Sequence, residues 1–373
     1  MNLSCPLNSS YSNENDIDFF RRLKYCLGVW LCVAVVFGCP TNLFAARCAW
    51  KFARTRKPNL LYQWFVLSMS VADFLFLSIV SSMQFSQYNF GVQLSRVPCM
   101  TLYMVSHSTT VASSLSLLAL NVDKFLAIYR PLYHVCVLNG RRVLIVVAGS
   151  WLVSIAWASF FVFGPMTRHD DGCLFRVTSY AYYLSFAIIF FVAPTAAAMA
   201  LSVFIAIVVR RQLSGAGLSS RKRLVTQDEY KLESPQFVRR NSRNLVNAIA
   251  VHRDPLARAK RITFVFTTTI FSFFTMLPYR IFYSIRERYP GHGHDVSMFV
   301  ITLTCFALMA ANPVGNPIIT VMTQKRYRVE LAKVCGRMHP CGPSQAPKSS
   351  DVELKKVETE QDTRTTVRIP LLK

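Results

Sequence analysis

The amino-acid sequence predicts an all-α membrane protein: a seven-transmembrane helix bundle with a short amphipathic helix after the seventh span. Three observations predict it. The 373-residue chain is 52% hydrophobic but only 16% charged, against about 25% charged residues in ordinary soluble domains. Its apolar residues are gathered into seven blocks, 24–46, 60–83, 99–122, 143–166, 178–209, 261–285 and 296–322. Each can supply the roughly 20 apolar residues that a helix needs to cross a bilayer. Finally, Lys and Arg are concentrated in alternate connections between the blocks. Lipid offers no hydrogen bonds to the backbone, so only helices and closed barrels span it. Blocks this long and uniformly apolar are not barrel strands.

Residues 1–23 read as a polar extracellular tail with no cleavable signal peptide. Asn2-Leu3-Ser4 and Asn8-Ser9-Ser10 are glycosylation sequons, and two of them before the first span favour an outside amino terminus. The connection after the first span carries Arg47, Lys51, Arg54, Arg56 and Lys57. That between the fifth and sixth holds thirteen Lys/Arg from Arg210 to Arg261 against four acids, and Lys325, Arg326, Arg328, Lys333 and Arg337 follow the seventh. These three segments share one side of the membrane, the cytoplasmic one, if the amino terminus is outside. The net charge of +23 then reflects inner loops facing anionic lipid and acidic partners, and calls for no nucleic acid.

Residues 24–335 read as one seven-helix domain. The basic loop 211–257 within it is expected to be mostly disordered, as is the cytoplasmic tail 336–373. In "QKRYRVELAKV" (324–334), Tyr327, Leu331 and Val334 fall on one helical face, which predicts an amphipathic helix on the inner membrane surface. Cys335 at its end is either a palmitoylation acceptor or a plain free thiol. Cys99 opens the third span and Cys173 lies in the loop between the fourth and fifth, both on the oxidising side. A bridge between them would pin that loop to the third helix. Cys5 is either free or paired with Cys26.

Charges inside a bilayer are costly and mark functional positions. Asp73, in "LSMSVADFL", is the one acid deep within a span. Asn42, Ser113, Asn312 and Asn316 lie at similar depth. A buried carboxylate needs hydrogen-bond donors or a cation, so two readings stand: a small polar cavity that takes a sodium ion or a proton, and a structural knot between helices.

With these residues in view the chain resembles the rhodopsin-like (class A) G-protein-coupled receptors across all seven spans. The matches are Asn42 in "GCPTN", Leu67 and Asp73 in "LSMSVAD", Cys99 with Cys173, Trp151, Pro194, Pro278 in "FTMLP", and "NPIIT" (316–320) followed by Tyr327-Arg328. The family's aspartate-arginine-tyrosine signature corresponds to Asp123-Lys124-Phe125, with Pro131-Leu132 beyond it. The resemblance implies a Cys99–Cys173 disulfide and a sodium pocket of Asp73, Ser113, Asn312 and Asn316. It also implies activation switches at Asp123, Lys124, Met276, Pro278, Asn316, Pro317 and Thr320, where Asp123 is the near partner of Lys124, which is held and then released as an inner cleft opens.

Several of those positions depart from the family pattern. Lys124 replaces the arginine and so keeps the charge without the planar fork. Met276 stands where the family has a tryptophan, Thr320 where it has a tyrosine, and Ser202 where the fifth helix carries another tyrosine. The place of the acid that would clamp Lys124 from the sixth helix is taken by Arg258.

The family template places Ser106, His107, Thr110, Met276, Tyr279, Arg280, Tyr283 and Phe306 around a ligand. Amine receptors of this family carry an aspartate where this chain has Ser106, which argues against an amine. Opsins need a seventh-helix lysine for retinal; that position is Ala310, which argues against a light sensor. Arg280 either meets an anionic or carbonyl-rich ligand or pairs with Asp170 or Asp171 of the loop. "GHGHD" (291–295) reads as an exposed loop rather than a metal site.

The expected function is reception, not catalysis, with no cofactor beyond an allosteric sodium ion. An extracellular ligand, a peptide ahead of an acidic lipid or small carboxylate, would act on a plasma-membrane receptor that activates a heterotrimeric G protein. Arrestin and receptor kinases would meet the inner loops, through "RRNS" (239–242) and the tail's Ser and Thr. The alternative is an atypical receptor that signals through arrestin or scavenges ligand without G-protein activation.

Overall fold

The computed structural model describes residues 14–55, 60–130, 133–134, 139–163, 167–170, 174–177, 180–223, 255–288 and 296–338. Asn2, Asn8, Asp171, Cys173, residues 239–242 and 291–295, and the tail beyond Met338 lie outside them.

Helix α1 runs over Glu14–Ala53 and α2 over Gln63–Phe90, with a π-helical turn at Phe76–Ser81 inside α2. Helix α3 is Arg96–Tyr129 and α4 is Gly140–Phe163. Strands β1 (Thr167–Asp170) and β2 (Leu174–Val177) follow. Helix α5 comprises Tyr180–Ala187, a π turn at Ile188–Val192, and Ala193–Arg223. Helices α6 (Pro255–Arg288), α7 (Val296–Thr323) and α8 (Lys325–Met338) complete the described elements. Seven of these, α1 to α7, are long and apolar enough to cross a membrane.

Helix α1 packs on α2 and α7, α3 on α2, α4 and α5, and α6 on α5 and α7. The neighbour order returns α7 to α1 and leaves α3 in the middle. The residues bear this out. Buried Leu31, Val80, Leu102 and Phe306 belong to one apolar cluster, and Ala45, Val66, Leu120 and Phe264 to a second. Large apolar side chains such as Leu152, Phe163 and Phe274 are exposed, as expected where lipid rather than water is the neighbour. Pro40, Pro278, Pro313 and Pro317 sit inside their helices; helix-breaking residues are tolerated there because neighbouring helices satisfy the freed carbonyls. Asn42 Nδ2 does so for Pro317, donating at 2.7 Å to the carbonyl of Pro313 that Pro317 leaves without its helical N–H.

Gly91 ends α2 with φ of 63°, the left-handed conformation that a side chain resists. At Gly315 a Cβ would lie 2.2 Å from the Phe271 ring, so α6 and α7 approach over a bare backbone. Gly315→Val is therefore expected to destabilise the protein by about 1–3 kcal/mol, read as a lower unfolding temperature. Gly315→Ala has the smaller effect, and a swap without cost would mean that the ring swings clear.

Several expectations are corrected. The chain is helical from Glu14, so the ordered helix begins inside the expected tail 1–23. Loop 211–257 is not irregular throughout: α5 continues to Arg223 and α6 starts at Pro255. The apolar blocks end earlier than these helices because helix continuation past the bilayer needs no apolar residues. Between α4 and α5, strands β1 and β2 pair antiparallel, Thr167 opposite Val177 and Asp170 opposite Leu174, which the apolar pattern does not signal. The compact unit that holds the bundle extends to Arg328, and a second begins at Val329. The short helix expected after the seventh span is present as α8, with Tyr327 buried and Leu331 and Val334 exposed. Cys26 is a free thiol.

Candidate functional site

The predicted site residues fall into three groups along the bundle. The outer group is aromatic and basic. Tyr279 stands 5.5 Å from Phe306, edge to face, and 5.7 Å from Tyr283; Tyr279 and Phe306 are buried, and Met276 packs against the same cluster. Arg280 is buried on the same helix, its guanidinium 3.7 Å from the centre of the Phe191 ring. His107 is buried too, its Nδ1 2.9 Å from the Tyr103 carbonyl. Thr110 donates to the Ser106 carbonyl at 2.6 Å. Phe191 is not among the site residues the sequence predicts. It lies in the π turn of α5, which holds one residue more than an α turn, so uniform helical spacing does not foretell its direction.

The middle group surrounds Asp73, which is 2% exposed. Ser113 donates to one carboxylate oxygen at 3.0 Å and Asn316 Nδ2 to the other at 2.8 Å. Beside them is a cavity with about 10 Å³ open to the centre of a water-sized sphere, lined by Asp73, Thr109, Thr110, Ser113, Met276, Met309 and Pro313 among others. That is room for about one water molecule or small ion. The fourth expected ligand, Asn312, is turned elsewhere: its Oδ1 accepts from Ser272 at 3.0 Å and Thr275 at 3.3 Å. A carboxylate, a hydroxyl and the unpartnered Asn316 Oδ1 are hard oxygen donors, and this donor set fits a sodium ion. Met276 packs with the outer cluster and lines this cavity, so one flexible side chain touches both groups. Among the described residues there is no cluster of three His, Cys, Asp or Glu that suits a transition metal.

The inner group is built on α3. Lys124 Nζ lies 2.5 Å from Asp123 Oδ2, and His134 Nε2 is 3.0 Å from Asp123 Oδ1. The ammonium also sits 3.5 Å from the centre of the Tyr62 ring. Lysine has no fork to engage two partners edge-on, but a compact ammonium suits an aromatic face. Tyr62 in turn donates to Gln324 Oε1 at 3.3 Å, which also accepts from Gln63 Nε2 at 3.2 Å. Tyr327 donates to Gln63 Oε1 at 2.5 Å. Burial pushes the Tyr327 phenol well above its ordinary pKa, which keeps it a donor. Thr320 is spent within its own helix, donating to the Asn316 carbonyl at 2.8 Å.

One turn outward, Asn121 ties three helices. Its Nδ2 donates to Thr269 at 2.9 Å on α6, and its Oδ1 accepts from Ser202 at 2.5 Å on α5. Ser202 therefore bonds to the third helix. Trp151 donates to Ser68 at 2.9 Å, and Ser116 bonds the same hydroxyl at 2.8 Å, which joins α2, α3 and α4. Tyr62, His134, Asn121 and Thr269 were absent from the sequence reading. His134 follows Pro131-Leu132, and no spacing rule returns a residue eleven positions on to Asp123.

Cys99 is buried and disulfide-bonded. The side chains of Asp170 and Arg258 lie outside the described set.

Comparison with known proteins then bears on this arrangement. The sequence family described as "7 transmembrane receptor (rhodopsin family)" matches residues 41–319. The chain is 27% identical over 283 residues to the G-protein coupled receptor aex-2 of Caenorhabditis elegans, covering 74% of each. It is 22% identical over 338 residues to melanopsin of Felis catus, covering 85% of this chain and 62% of that protein. Its fold is similar to that of squid rhodopsin, with a TM-score of 0.62, 17% identity and 93% of each chain covered.

Proposed function

Because the chain belongs to the rhodopsin family of seven-transmembrane receptors, we propose that it carries an extracellular signal across the plasma membrane to heterotrimeric G proteins. The carrying observation is the continuity of the three groups. Met276 touches the outer aromatic cluster and the Asp73 cavity, and Asn316, which bonds Asp73, lies one turn from Thr320 on α7. A ligand that moves α6 at Arg280 would disturb each layer in turn, shifting a two-state equilibrium by its differential affinity.

A peptide is the proposed ligand, with an acidic lipid or small carboxylate second; the outer group supplies aromatic surface and a cation. Ser106 offers no counter-charge for an amine. Ala310 and the absence of lysine from 296–324 disfavour retinal. The amino terminus is proposed to be extracellular, glycosylated at Asn2 and Asn8, with Cys99 bridged to Cys173 and Cys335 palmitoylated. Arrestin and receptor kinases would engage the inner loops and tail.

A second reading is favoured by one observation: Thr320 is bonded within its own helix and Lys124 is held by Asp123 and Tyr62. An atypical receptor working through arrestin would have these features. Nucleotide exchange across the G-protein families, with and without peptide and lipid-acid libraries, separates the two. No exchange alongside intact arrestin recruitment would replace the first reading by the second.

Sodium would be held by Asp73, Ser113 and Asn316, supplying a counter-charge to the carboxylate. Sodium chloride is expected to raise the unfolding temperature above that in equal choline chloride, and Asp73→Asn to abolish the difference. Equal sensitivity in both proteins would rule the ion out.

A further inference from the structure

The sixth helix buries a cation for which the described residues offer no counter-charge. Arg280 is 5% exposed and its Nε has no hydrogen-bond partner. The carboxylates buried in the described spans are committed elsewhere: Asp73 to Ser113 and Asn316, Asp123 to Lys124 and His134. His107 interacts with Arg280 electrostatically and adds no negative charge. A buried, uncompensated charge is expensive, and a ligand can supply the missing partner.

The guanidinium is also oriented. Its carbon lies 3.7 Å from the centre of the Phe191 ring and 5.6 Å from that of Tyr279. The shorter distance is that of face-on stacking, which occupies the flat face and leaves the in-plane N–H donors free of the ring. Phe191 reaches this place through the π turn Ile188–Val192, a rare distortion that often marks functional positions.

We propose that Arg280, braced by Phe191, is a carboxylate-binding site for a ligand that carries this group on an apolar body. The edge of the guanidinium meets the two carboxylate oxygens through paired N–H donors. The apolar body packs on Tyr279, Tyr283 and Phe306. The site deepens the receptor reading above and rests on it for its biological meaning, but binding can be measured without a G protein. Failure of either is therefore distinguishable from failure of the other.

The test measures the unfolding temperature of the purified full-length chain against three free acids, each paired with its own carboxamide. Decanoate stands for a lipid acid, 4-phenylbutyrate for an aryl acid, and N-acetyl-leucyl-phenylalanine for a peptide end. At least one acid is expected to raise the unfolding temperature in a saturable way while its amide does not. Arg280→Lys moves the midpoint concentration up by about tenfold, the loss of one charge-assisted hydrogen bond. Arg280→Gln removes the shift, and Phe191→Leu weakens it. The proposal is overturned if no acid exceeds its amide in any arm, or if the shift survives in Arg280→Gln. It is equally overturned if Asp170→Asn or Asp171→Asn destabilises the unliganded chain as much as Arg280→Gln, since the loop would then already neutralise the guanidinium.

Discussion

Asp123→Ala is expected to lower the stability of the unliganded protein by about 3–5 kcal/mol, the cost of breaking a buried ion pair by removing one partner. Asp123 is 4% exposed and is the acceptor for both Lys124 and His134. Its removal leaves the Lys124 ammonium, 12% exposed, with only the Tyr62 ring to face among the described residues. An aromatic face returns about 2 kcal/mol at best in a desolvated setting, too little to replace a carboxylate. Asp123→Asn keeps the shape and an acceptor oxygen and should lie between alanine and the natural residue. The same substitutions should raise ligand-free nucleotide exchange, because Lys124 links α3 to Tyr62 at the start of α2. The measurements are an unfolding curve and a basal exchange rate on the same preparation. An alanine variant as stable and as quiet as the parent would show that the pair is not a latch.

Asn121→Leu is expected to have the second largest effect. Asn121 is fully buried and its amide joins α3 to Ser202 on α5 and Thr269 on α6. Leucine fits the volume but leaves two buried hydroxyls without that partner, at about 1–3 kcal/mol for each group left unsatisfied. If the receptor opens by separating the inner ends of these helices, the closed state loses bonds that the open state never had. Basal exchange should then rise while the unfolding temperature falls. Ser202→Ala and Thr269→Val should each reproduce part of the effect, and the double variant should fall short of their sum because both act through Asn121. Strict additivity would mean that the two hydroxyls act independently of it.

Both predictions concern residues that the sequence reading either placed without their partners or passed over. Asp123-Lys124 was legible as a switch from its motif. Its partners Tyr62 and His134 were not, because one precedes α2 and the other follows a Pro-Leu break, and neither lies at a helical spacing from α3. Asp73, Ser113 and Asn316 were legible as a set because a charge inside the bilayer demands partners. Asn312 was placed in that set, yet its amide turns toward Ser272 and Thr275, a choice made by which hydroxyl α6 brings near. Asn121 stands near the end of the apolar block 99–122, and no charge or spacing there singles it out.

What the sequence by itself determined is the membrane-spanning class, the number and order of the spans, the gathering of Lys and Arg into alternate connections and the depth of Asp73. Each follows from a one-dimensional quantity: block length against bilayer thickness, charge per connection, or position within a block. The tertiary structure alone decided that Phe191 stacks on Arg280, that Tyr62 receives Lys124 and that Ser202 bonds Asn121. These contacts depend on the rotation of each helix about its axis and on the π turns that shift it. Lipid rewards every apolar face alike, so only packing between helices selects which residue turns inward.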